Sequence, residues 1–207
     1  MNPHDRALLE AAARGDEPGV SAALAAGAAV DARDEQLRTA LLLAALADHV
    51  GTAALLVAAG ADPDAPDARA DSPWLVTGVT GSVRMMRTLL PAGPDLTQPN
   101  RFGGTSLIPA SERGHTAYVR AVLAETAIAV DHVNRLGWTA LLEAVILGDG
   151  GPRHEEVARL LLAAGADPGL GDLEGVTPYE HAVRRGFDGM ARLLRTAAGG
   201  PLPGDAR

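Results

Sequence analysis

Apolar residues in segments such as HEEVARLLLAAG (154–165) and HTAYVRAVLAE (115–125) recur at the three- and four-residue spacing of a helix with one buried face. Shorter apolar runs precede them, each opened by Ser or Thr: Thr39-Ala40-Leu41, Ser72-Pro73-Trp74, Thr105-Ser106-Leu107, Thr139-Ala140-Leu141 and Thr177-Pro178-Tyr179. Ser or Thr there can cap a helix through its side-chain oxygen, and Pro is tolerated in the first turn. Stretches rich in Asp, Pro and Gly, such as DPDAPDARAD (62–71) and DPGLGDLEG (167–175), follow the longer helices and read as turns. One unit is therefore helix, tight turn, helix, projecting turn.

The units recur in phase. The Ser/Thr landmarks stand 33, 33, 34 and 38 residues apart, and one further step back reaches Arg6-Ala7-Leu8. Nine residues after each comes Gly15, Gly81, Gly114, Gly148 or Gly186, with Asp48 as the exception that tolerates a left-handed helix end. Gly27, Gly60, Gly93 and, past an insertion, Gly165 close the second helices. A repeat of this length predicts stacked units that bury their apolar faces only against one another.

This pattern resembles the ankyrin repeat, D-x-x-G-x-T-P-L-H-x-A-x-x-x-G-H followed by L-L-x-x-G-A-D. The block DHVNRLGWTALLEAVILGDGGPRH (131–154) resembles stand-alone bacterial members of that family. The resemblance implies an all-α fold, an ankyrin-repeat solenoid of helix-turn-helix units with projecting β-turns. Six repeats fit one domain over 1–200, at about 1–33, 34–66, 67–99, 100–133, 134–171 and 172–200, with a disordered tail at 201–207. Leu37 and Ala70 stand where the family's turn has Gly, so those turns are expected to be distorted, and Pro109 interrupts a first helix. His49, His115 and His154 match a family position that implies a structural hydrogen-bonding role.

Composition narrows the function. Hydrophobic residues make up 47% and aromatics 3%, which favours close-packed helices over pleated sheet. A net charge of −8 gives no general attraction to nucleic acid or anionic membrane. Cysteine is absent, so no thiolate metal site or disulfide forms. The charged N-terminus lacks the apolar core of a signal peptide and no run is long enough to span a membrane, so a cytoplasmic monomer is expected.

Motifs of catalysis and metal binding are missing. GVTGS (78–82) lacks the length and lysine of a phosphate loop, and HEEVA (154–158) has Ala158 where a zinc helix needs a second histidine. The six histidines are scattered, and no catalytic residue, metal or cofactor is predicted.

Family resemblance then implies a partner surface on the turns and first helices, the concave side. In the first half the outward residues are Glu35, Gln36 and Arg38, then Ala68, Arg69 and Asp71, with Leu43 and Val76 on the helix face. The fourth repeat offers Arg101, Phe102 and Gly104 with Glu112 and Arg113; the fifth, Arg135, Leu136 and Trp138 with Glu143; the sixth, Leu173, Glu174 and Val176 with His181. Trp74 and Tyr179 fall on inward positions. Large aromatics beside arginine are enriched at interface hot spots. The expected function is a non-catalytic scaffold binding a protein through repeats 4–6, with Arg101, Phe102, Glu112, Arg135, Trp138, Glu143 and His181 as the site. The alternative is a small-molecule site or enzyme in the same groove, with Glu143 and His181 as an acid–base pair, His132 in reserve and Trp138 stacking on the ligand. The extra residues at 148–153 form a second candidate recognition feature.

Overall fold

A computed structural model describes residues 1–199; the tail expected at 201–207 lies outside them. The chain divides into two compact units, one from Met1 to Arg101 and one from Phe102 onward. Among the described residues both are built of helices, with one isolated bridge between Arg33 and Thr39.

The first unit holds α1 (Pro3–Arg14), α2 (Glu17–Ala25), α3 (Ala40–Leu46), α4 (Val50–Ala58), α5 (Pro73–Thr80) and α6 (Val83–Leu89). Within it α1, α3 and α5 pack in succession, as do α2, α4 and α6. The second unit holds α7 (Leu107–Glu112), α8 (Thr116–Glu125), α9 (Ala140–Ile146), α10 (Pro152–Ala163), α11 (Pro178–Arg184) and α12 (Asp188–Ala197). There α9 packs between α7 and α11, and α10 between α8 and α12. Leu8, Leu41, Leu42 and Leu56 are buried in the first core, and Leu107, Leu141, Leu142 and Leu161 in the second. Each fully buried leucine is worth about 1.5–3 kcal/mol.

Helix starts follow the phased hydroxyls. Thr39, Ser72 and Thr139 accept from the backbone N–H of Leu42, Leu75 and Leu142 at 3.2, 3.3 and 3.2 Å, and Thr177 forms a reciprocal capping box with Glu180. Thr105 departs from the rule. Helix α7 starts two residues later, and the Thr105 and Ser106 hydroxyls are buried without partners. Pro109 supplies no N–H for Ser106 to cap, which leaves a six-residue helix.

Several positions differ from expectation. Leu37 and Ala70 adopt left-handed backbones, φ 62° and 59°, so their turns keep the repeat's form rather than distorting. Tyr179 is half-buried rather than core: among the described residues α11 packs on α9 and α12 and on no further first helix. Val76, expected on an exposed face, is buried. Gly148 is not the left-handed helix end; the insertion passes that conformation to Gly150, φ 68°.

Candidate functional site

Four projecting turns are each organised by one Asp or Asn side chain. The Oδ1 atoms of Asp34, Asp67, Asn134 and Asp172 each accept from the backbone N–H two and four residues ahead, at 2.8–3.0 Å. These bonds close the tip and satisfy two backbone donors. Neighbouring tips join by single backbone bonds, Ala68 N–H to the Gln36 carbonyl and Arg135 N–H to the Phe102 carbonyl, both 2.9 Å.

The second atom of the same side chain reaches the first helix of the repeat. Asn134 Nδ2 donates to Glu143 Oε1 at 2.8 Å, and His181 Nε2 meets Asp172 Oδ2 at 2.7 Å, each pair nine residues apart. The corresponding helix residues of the second and third repeats are Leu43 and Val76, which offer no such bond. Glu143 and His181 are therefore two turn-to-helix staples with the donor and acceptor roles exchanged. The structure gives them separate partners and does not pair them as acid and base.

Burial changes Glu143 most. Expected on the open face, it is only 5% exposed; the same position carries Leu43, Val76, Pro109 and His181 in other repeats, and Val76 and Pro109 are buried as well. Desolvation, then the charge of Glu112, push its carboxyl up to about 7, against the smaller opposing effect of the Asn134 bond. Asp172 moves the other way. Burial opposes its ionisation, but bonds from Val176, His181 and Glu174 hold it below the ordinary carboxylate range.

Two other histidines of the second unit are bonded to backbone carbonyls. His132 Nε2 meets the Gly103 carbonyl at 2.7 Å, so the reserve base is tied to the backbone of the preceding turn. His154 Nε2 meets the Glu112 carbonyl at 2.8 Å, and its Nδ1 meets Asp149 Oδ1 at 2.7 Å. Asp149, in the insertion, also accepts from Gly151 N–H at 2.8 Å. On the other side of the insertion Arg185 donates to the Ile146 carbonyl and lies 4.5 Å from the centre of the Phe187 ring, which in turn packs beside Gly150.

Among the expected site residues, Arg101 lies in the first unit and its guanidinium meets Asp71 at 3.2 Å. Glu112 is half-buried and Arg135 exposed. Trp138 is half-buried below its tip, its N–H held by Asn134. The tips themselves are apolar: Phe102 is 54% exposed, Leu136 50% and Leu173 75%. Leu173 holds the place in its turn that Arg135 holds in the one before, one residue ahead of the place of Phe102 and Leu136. A Cβ on Gly103 would come within 2.8 Å of Arg135 Cγ, and one on Gly137 within 2.5 Å of Leu173 Cγ, so each side chain lies across the preceding turn. Asn134, which joins the tip to the helix, had no sequence signal beyond its place in the turn; Leu136 and Leu173 were visible there as outward residues.

The family described as Ankyrin repeats (3 copies) matches residues 79–172, and the single Ankyrin repeat matches 36–68. The ankyrin repeat protein YahD of Escherichia coli (strain K12) is 42% identical over 189 residues, 91% of this chain and 94% of its own. The crystal structure of an ankyrin repeat domain from Acinetobacter baumannii AYE has a TM-score of 0.88 and 46% identity, covering 92% of this chain and 97% of that one. The ankyrin repeat domain of Bcl-3, a member of the IkappaB protein family, has a TM-score of 0.83 at 25% identity, covering 94% and 86%.

Proposed function

The chain belongs to the ankyrin-repeat family, and from that premise we propose that it is a non-catalytic scaffold that docks a cytoplasmic protein partner on the turn tips and first helices of its second unit. Ankyrin repeats generally mediate protein–protein interaction, and the fold is typically a non-enzymatic scaffold. The observation that carries the proposal is the row of Phe102, Leu136 and Leu173, half or more exposed on successive tips and flanked by Arg135 and Trp138. Closed turns present these side chains without needing to be ordered on binding, which spares much of the entropy cost of association. Glu112, Glu143 and His181 lie behind the tips on the first helices. Among the described residues no helix is long and apolar enough to cross a membrane.

The test is a Phe102→Ser, Leu136→Ser, Leu173→Ser triple variant, compared with wild type in capture of partners from the native cell. Capture is expected to fall by at least about tenfold, since hot-spot truncations each exceed ~1 kcal/mol. The thermal transition should stay nearly unmoved, because exposed apolar side chains contribute little to the fold. Equal capture by both proteins would overturn the site.

A further inference from the structure

The docking surface has a second component that the apolar row does not explain. Glu143 is nine-tenths buried, one carboxylate oxygen is bonded to Asn134, and neither Glu143 nor Glu112 is paired with a cation among the described residues. A scaffold with no use for that carboxylate could hold the same turn with Gln, which also accepts a bond from Asn134. The equivalent positions in the second and third repeats are Leu and Val, so the fold tolerates a neutral residue there.

We infer that the partner presents an arginine or lysine beside its apolar side chains, the cation seating against the Glu112 and Glu143 carboxylates while the apolar groups cover Phe102, Leu136 and Leu173. This rests on the docking reading above. Asn134 couples the two components: its Oδ1 shapes the tip that carries Leu136, and its Nδ2 holds Glu143. Charged groups on the elements around α9 do not already meet this need. Glu112 on α7 adds negative charge, His154 on α10 is bonded to the Glu112 carbonyl and Asp149, and His181 on α11 is held by Asp172. In the turn, Arg135 lies across Gly103. A partner cation stabilises the ionised form of Glu143, so binding releases a proton near neutral pH and tightens as pH rises through that range.

The experiment selects random peptides displayed on phage against the full chain, its Glu143→Gln variant, a Glu112→Gln variant and the Phe102/Leu136/Leu173 serine variant. Peptides selected on wild type should combine apolar residues with Arg or Lys, and a synthetic copy should bind Glu143→Gln about tenfold more weakly, as expected for a lost charge-assisted contact. Calorimetry in two buffers of different ionisation enthalpy should show proton release with wild type and none with Glu143→Gln. Peptides that need the apolar row but lack basic residues, or whose binding ignores both glutamine variants, overturn this inference and leave the docking reading standing. Acidic or uncharged selections count on that side. Failure to select any peptide that depends on the row overturns both.

Discussion

The two units build the same turn with different materials. In the first, the residue that must turn left-handed is Leu37 or Ala70, and the tips show Glu35, Gln36, Ala68 and Arg69. In the second it is Gly103, Gly137 or Gly175, and the tips show Phe102, Leu136 and Leu173. A side chain at positive φ costs about 1–2 kcal/mol, yet the first unit accepts it at two turns. Glycine in the second unit has an added use: at 103 and 137 it makes room for the neighbouring repeat's side chain. Neighbouring tips join by a 2.9 Å backbone bond in both units, so the side chains at the tips, more than their spacing or the turn's conformation, separate the unit that offers apolar groups from the unit that does not.

The comparison breaks most severely at Asn134. Asn134→Ala removes two backbone acceptor contacts and strands the buried Glu143, and should lower stability by about 3 kcal/mol. Asp67→Ala, which empties the same turn in the first unit with no buried helix partner behind it, should cost about half as much. Urea titrations of the two variants check the ratio; equal losses would show that the Glu143 staple adds nothing.

Acidity sharpens the contrast next. The folded protein holds the Glu143 proton more tightly than an unfolded chain, whose carboxyl sits at its ordinary 4.5 against about 7 in the fold. Its stabilising effect is complete below about pH 4.5, declines as pH rises, and is lost above about 7. Wild type should therefore lose about 2 kcal/mol relative to Glu143→Gln between pH 5 and 8, a difference visible in melting temperatures across that range. Parallel profiles for the two proteins would remove the buried charge from the account.

Smaller effects test the glycines themselves. Gly137→Ala meets both the positive φ and Leu173, and should cost about 2 kcal/mol; Gly175→Ala, with nothing near its Cβ, should cost about 1. Leu37→Gly runs the experiment backwards. It should stabilise the first unit by roughly 1 kcal/mol, reduced in part by the greater freedom of an unfolded glycine, and raise its melting temperature by a few degrees.

Much of the architecture was legible in the sequence because its markers are local. Thr39, Ser72, Thr139 and Thr177 cap helices where the phase puts them, and Asp48 takes the left-handed end expected of it. The failures trace to context. Thr105 does not cap, because α7 starts a residue later than the phase puts it with Ser106 at its end and Pro109 offering that hydroxyl no N–H, and Tyr179 lies partly open because no further first helix covers α11 among the described residues. The site was less legible than the fold. Glu143 read as exposed because the family's partner face was carried over to its position, as it was for Leu43 and Val76; Val76 and Glu143 are buried and Leu43 half-buried. His181 and Glu143 looked like a catalytic pair because a turn residue nine positions back, the true partner of each, carries no signature of that bond.

The insertion between α9 and α10 has a consequence for how such a chain can change. One side is fastened by His154 to the preceding repeat's backbone, and the other by Arg185 and Phe187 of the following repeat. Connection length is thereby uncoupled from the stacking of the helices it joins. Lengthened or recoded loops can be carried at this point without resetting the order of the stack, which makes it a place where the surface can change while the proposed docking residues are kept.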